Sequence, residues 1–134
     1  MAISFTFPHV VPYLYYPDAT EALEFLVRAF GFEEHAVTRD ADGVVWNAQL
    51  RTGSGLIMIG PGIDESGTRP VPDPAWATSR VHVLVDDLEA HHARAVAAGA
   101  VIRSDVGVHM GQVRIYVAGD CGGQQWIFAE PVDA

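Results

Sequence analysis

A single cysteine, Cys121, in 134 residues leaves no intrachain disulfide, no paired-cysteine zinc site and no Cys-rich cluster. Basic side chains are also scarce: 8 Lys plus Arg stand against 17 Asp plus Glu, giving a formal net charge of −9 and a pI near 4.8. Such a chain repels a phosphate backbone at long range, which argues against nucleic acid as a partner. No apolar run approaches the roughly 20 residues needed to span a bilayer, and Met1 to Phe7 lacks a basic segment leading into a long apolar one. Membrane partners and export are not expected, and a cytoplasmic address is. What is present, 49% hydrophobic and 19% charged residues, is the balance of a globular protein rather than a disordered one. At 14.5 kDa, residues 1–134 have room for one domain, or two small modules sharing a core.

The chain reads as a duplicated unit. His9 to Tyr16 is short, apolar and aromatic, rich in strand formers, and stops at Pro17-Asp18. From Asp18, a natural N-cap, the spacing places Ala19, Leu23, Leu26, Val27 and Phe30 on one helical face, and Gly31 supplies the stop. Three strand-like pieces follow, divided by turns at Asp40-Ala41-Asp42-Gly43 and Thr52-Gly53-Ser54-Gly55. The order β-α-β-β-β then recurs: strand RVHVLV, a helix capped by Asp86 or Asp87 and ended by Gly99, and strand-like VIRSDV, QVRIYVAG and QQWIFAE. Module 1 spans about residues 8–60 and module 2 about 80–131, with a Pro- and Gly-rich linker over 61–79. Long loops in compact domains are often functional. Trp76 within this one is therefore either a lid residue or a simple anchor.

Familiar catalytic patterns are missing. There is no G-x-S-x-G, no H-E-x-x-H and no G-x-x-x-x-G-K-[ST]. RTGSGL lies between strands, so it reads as a turn rather than a phosphate loop, and Cys121 sits in a glycine turn without an identifiable base.

The runs PYLYYPDATEALEFLVRAFGF and VHVLVDDLEAHHARAVAAGA, with D-x-x-G-x-x-W-x-F from Asp120 to Phe128, resemble the vicinal oxygen chelate superfamily. That superfamily groups glyoxalase I, bleomycin-resistance proteins and extradiol dioxygenases, and this chain is most similar to the bleomycin-resistance-like branch. The resemblance covers nearly the whole chain. It implies an α+β fold in which two βαβββ modules form a curved eight-stranded mixed sheet around a pocket, usually in a homodimer. In the enzymes of the superfamily a divalent metal sits on the concave face of that sheet.

Carried over position by position, the relatives' four metal ligands fall at Val11, Met58, Arg80 and Ile127. None is a His or carboxylate of the kind such a metal needs. A displaced site would recruit His9 and His82, two residues from Val11 and Arg80 and on the same strand faces, with Glu130 as the carboxylate. Glu130, however, has the opposite parity to Ile127. Adjacent His91 and His92 cannot aim at one metal from one helix face, so a partly solvated helix surface suits them, and His35 reads as an ordinary strand residue. Without a metal, the expected pocket face is apolar and aromatic: Tyr13, Tyr15, Met58, Arg80, His82 and Ile127, with His109 from the loop before the seventh strand. Trp46, Arg114 and Tyr116 are further wall candidates, whereas Trp126 should pack under the helices.

Three functions follow from this reading. The first is a binding protein without metal or other cofactor that sequesters a hydrophobic or aromatic small molecule, such as an antibiotic. The second is a glyoxalase-like lyase or dioxygenase using the displaced divalent metal site. The third is a dimeric interaction domain with a vestigial pocket.

Overall fold

A computed structural model describes residues 7–109, 111 and 113–132. The chain runs β1 (Tyr13–Tyr15), α1 (Ala19–Phe30), β2 (Glu33–Arg39), β3 (Val45–Arg51), β4 (Leu56–Gly60), β5 (Arg80–Leu84), α2 (Leu88–Ala97), β6 (Val101–His109), β7 (Val113–Gly119) and β8 (Gln125–Pro131). This is the α+β pattern β-α-β-β-β written twice. Both helices start on an aspartate whose carboxylate accepts a free first-turn N–H: Asp18 from Glu21 at 3.0 Å and Asp87 from Ala90 at 3.1 Å. Helix α1 ends on Gly31 at φ +72°, a left-handed position that costs glycine nothing. It buries seven side chains, Leu23, Phe25, Leu26 and Phe30 among them, and each large one contributes roughly 1.5–3 kcal/mol. Helix α2 buries only Leu88 and Ala95.

The strands form two four-stranded sheets, ordered β1-β4-β3-β2 and β5-β8-β7-β6. The β1–β4 and β5–β8 pairs are parallel and the rest antiparallel. No ladder joins the two sheets among the described residues, so each β-α-β-β-β module supplies one four-stranded half of the expected α+β fold. Side chains hold the halves together. Phe30 packs on Phe128 (ring centroids 4.6 Å apart) and Phe32 on Trp126 (5.3 Å). Arg94 of α2 donates to the carbonyls of Val27 and Arg28 at the end of α1. The Tyr16 hydroxyl donates to Asp120 across the junction at 2.5 Å.

Two strands differ in extent from the sequence expectation. The first is only Tyr13–Tyr15 rather than His9–Tyr16, because Pro8 and Pro12 carry no N–H for a ladder. Pro12 contributes only its carbonyl, to Met58 N–H at 2.9 Å. The sixth strand runs on to His109, which pairs with Val113. His109 therefore belongs to a strand and not to the preceding loop, and its side chain lies outside the described residues. The linker holds a short 3-10 turn at Asp64–Ser66, closed by Thr68, whose hydroxyl accepts the Ile63 N–H at 2.8 Å.

Candidate functional site

Residues paired across a ladder point to the same side of the sheet. One side of the first sheet carries Leu14, Ile59 and Ala48, all buried in the core with α1. The other side carries the row Tyr13, Met58, Gln49 and Ala36, and beside it Tyr15, Asn47 and Thr38. In the second sheet the helix side holds Trp126, Phe128 and Tyr116, none with measurable exposure. The opposite side holds Arg80 with Gln125, then His82 with Ile127 and Val117, then Leu84 with Ala129 and Ile115. Each sheet thus packs one face inward with the helices and turns the other outward.

On the outward face of the first sheet, Tyr13 and Tyr15 stack with ring centroids 4.9 Å apart. The Tyr13 hydroxyl accepts from Asn47 Nδ2 at 3.0 Å. Gly60 is bare for a steric reason: a Cβ there would lie 2.7 Å from the Tyr13 hydroxyl oxygen and 2.9 Å from the Trp46 carbonyl oxygen. Trp46 reaches solvent through a bulge. The β2–β3 register slips where Thr38 pairs with Asn47 but Arg39 pairs with Val45, and Trp46 is the extra residue. Val45 is buried, while Trp46 is 51% exposed.

The linker lies against this region. A cavity of about 320 Å³ is bounded by Tyr13 and Leu14, by the linker at Arg69 to Asp73 and Trp76 to Ser79, and by Gly123 to Gln125. It shares Trp76 and Gln125 with a second cavity of about 460 Å³, which is completed by Arg80 and Arg103. Of the residues singled out from sequence, Tyr13, Arg80 and Trp76 line these cavities. Tyr15, Met58, His82 and Ile127 share the outward faces without lining either cavity. Asn47, Gln125 and Arg103 were missed. Gln125 was recoverable as the residue two before Ile127 on one strand. Arg103 was not, since it falls where the β6–β7 register slips between Ile102 and Ser104.

Other candidates lie elsewhere. Arg114 and Glu130 pair across the ladder on the helix side, where Arg114 makes an ion pair with Glu89 and lies 3.6 Å from Glu130. Glu130 also accepts the Leu88 N–H at 3.4 Å, so both groups serve the start of α2. Tyr116 is likewise inward, and its hydroxyl meets His91 Nδ1 at 2.5 Å. His91 Nε2 lies 2.9 Å from the Phe30 carbonyl and must donate to it, so Nδ1 accepts from Tyr116. His91 is therefore a half-buried connector between modules rather than plain helix surface; desolvation, and then Arg94, lower its pKa. His92 packs edge-on against Tyr116 with centroids 5.0 Å apart. His35 accepts from Arg51 Nε at 3.2 Å. Partial desolvation, and then the Asp120 carboxylate, push the Cys121 thiol up to about 12, which leaves it a poor nucleophile at neutral pH.

A divalent metal does not fit these residues. The four positions carried over from the metal-binding relatives offer hydrocarbon, a thioether and a guanidinium. The shifted set fails because His9 lies before the strand and Glu130 faces α2. Among the described residues no three His, Cys, Asp or Glu side chains gather as a metal ion would require.

Comparison with known proteins agrees with this architecture. The structure superposes on TioX from a Micromonospora species with a TM-score of 0.74 and 30% identity, over 95% of this chain and 98% of that one. TnmS3, an antibiotic binding protein from a Streptomyces species, gives 0.71 at 20% identity, over 98% and 99%. The fosfomycin resistance protein FosX of Listeria monocytogenes, in complex with Mn(II), gives 0.70 at 14% identity, over 98% and 93%. At those identities the last two show a shared fold alone. Residues 6–128 match the family model, and the chain belongs to the Glyoxalase/Bleomycin resistance protein/Dioxygenase superfamily.

Proposed function

We propose that this protein captures a planar, hydrophobic or aromatic small molecule stoichiometrically, without turnover and without a metal. The observation that carries this reading is the chemistry of the outward sheet faces. Stacked Tyr13 and Tyr15 with Met58 offer ring and thioether surface, while Asn47 and Gln49 offer amides that fix orientation. No carboxylate stands in the central rows of either face. The antibiotic binding described for TnmS3 supports the reading by fold. A flat outward face buries only one side of a ligand, so the proposal includes a homodimer in which a second copy covers the first.

The test is a thermal-shift titration with naphthalene, quinoline and anthraquinone derivatives, run beside Zn²⁺, Ni²⁺, Mn²⁺ and Fe²⁺, since a ligand specific to the native state raises Tm. Capture predicts a saturable shift with at least one aromatic compound, one site per chain, unaffected by a chelator. Tyr13→Ala should weaken that binding about fivefold or more, equivalent to ~1 kcal/mol of lost stacking. A saturable shift with a metal and none with any aromatic compound would overturn the reading in favour of a metal enzyme.

A further inference from the structure

Trp76 stands 77% exposed in the linker, a placement that core packing does not explain. It forms one wall of the 460 Å³ cavity, together with Thr78, Ser79, Arg80, Arg103 and Gln125. Two guanidinium groups and no carboxylate line this cavity, on a chain whose net charge is −9. The two arginines differ in what they have left to offer. Arg103 is committed to the linker: Nη1 donates to the Pro74 carbonyl at 3.5 Å and Nη2 to the Ala75 carbonyl at 3.1 Å. Those bonds hold the segment that carries Trp76 over the sheet.

Arg80 commits only Nε, which donates to Gln125 Oε1 at 2.9 Å. Gln125 is 3% exposed, so it acts as a fixed post that sets the guanidinium plane. Among the described residues neither terminal nitrogen of Arg80 has a partner, whereas Arg114, Arg69 and Arg94 are occupied by Glu89, Asp64 and helix carbonyls. A guanidinium held by one edge presents a planar donor fork, the geometry that matches a carboxylate with two parallel hydrogen bonds.

We propose that this cavity takes the carboxylate of an aromatic acid, with Arg80 gripping the carboxylate and Trp76 covering the ring. The inference rests on the capture reading and narrows its ligand from any planar aromatic to an anionic one. The chain's acidity does not oppose it at contact range. Charges beyond roughly 8 Å are screened at physiological ionic strength, and a direct ion pair is not. Asp73 lines the neighbouring cavity, with Oδ1 accepting the Ala75 N–H at 3.0 Å.

The experiment compares 2-naphthoate with its neutral isostere 2-naphthamide on the full chain, at neutral pH and near-physiological salt, by calorimetry or tryptophan quenching. The naphthoate should bind about tenfold or more tightly than the amide. Arg80→Gln should bring the two within about twofold of each other. Arg39→Gln removes the same charge from the β2–β3 turn, where Arg39 donates to the Gly43 carbonyl, and should keep the preference. Trp76→Ala should weaken both probes. Equal affinities in the parent protein, or loss of the preference in Arg39→Gln as well, would overturn the proposal while leaving capture intact. If neither probe binds but other planar aromatics do, the proposal again falls alone. If no aromatic compound binds, capture falls with it.

Discussion

Asp120 is 6% exposed and satisfied by four donors: the Tyr16 hydroxyl at 2.5 Å, Trp126 Nε1 at 2.9 Å, and the N–H groups of Gly122 and Gln124 at 3.0 Å each. Burial raises its pKa while those hydrogen bonds pull the other way, and burial together with the Asp120 charge raises the Tyr16 phenol. The D-x-x-G-x-x-W-x-F signature is therefore a clamp between modules. Asp120 shapes the turn and fastens Tyr16, and the turn stays bare because a Cβ on Gly122 would come within 2.4 Å of the Tyr16 ring. Asp120→Asn keeps one acceptor for the two backbone donors but turns an NH₂ toward Trp126 Nε1, which cannot reverse its role. The expected loss is about 1–3 kcal/mol, visible as a Tm several degrees lower, with no change in Kd for an aromatic ligand corrected for the folded fraction. An unchanged Tm would mean that the clamp holds nothing. The signature was plain in the sequence, but its partner was not, since Tyr16 lies 104 residues away.

At the scale of elements, caps and stops made the fold legible. Asp18 and Gly31 cap α1 and Asp87 starts α2, whose C-cap is Ala98 with left-handed Gly99 one residue beyond, and both β-α-β-β-β orders follow. Face assignments were legible only where strands stay regular. Tyr13, Tyr15, Arg80 and His82 lie on the sides that parity assigned, whereas the bulge at Trp46 and the slips in β6 have no local signature. The role of His91 also escaped the sequence, because its two partners come from α1 and β7. That role sets a pH dependence. The lowered pKa means that, as pH falls below the ordinary value of ~6.5, the unfolded chain takes up a proton before the folded chain does. Stability present above that pH is lost on acidification until the folded pKa is reached. His91→Gln can still donate to the Phe30 carbonyl and accept from Tyr116, without titrating. Thermal melts of both proteins from neutral pH to pH ~5 should therefore show the parent losing more Tm than the variant. Parallel curves would remove His91 from the account.

For the whole molecule, packing both helices and both modules into one core leaves the other face of each sheet outside that core; on the second sheet this face sets buried Gln125, Val117 and Ala129 beside exposed Arg80, His82 and Leu84. Exposed Tyr13, Leu84 and Val101 lie on those faces, where apolar side chains are left for a ligand or a second copy to cover. One chain cannot fold its own sheets over a ligand without breaking the Phe30–Phe128 and Tyr16–Asp120 contacts that join the modules. A second copy can cover them at no such cost, and a symmetric pair closes two sites at once. Sedimentation velocity should therefore give about twice the 14.5 kDa chain mass. Placing a charge on the covered surface, as in Val101→Asp with Leu84→Asp, should yield a folded monomer with native circular dichroism and markedly weaker binding of the aromatic probes. Neither residue belongs to the buried core, so loss of assembly can be separated from loss of folding. A parent protein that sediments as a monomer and still binds its ligand tightly would show that the linker and the sheet faces of one chain suffice, and would confine the site to the cavities beside Trp76.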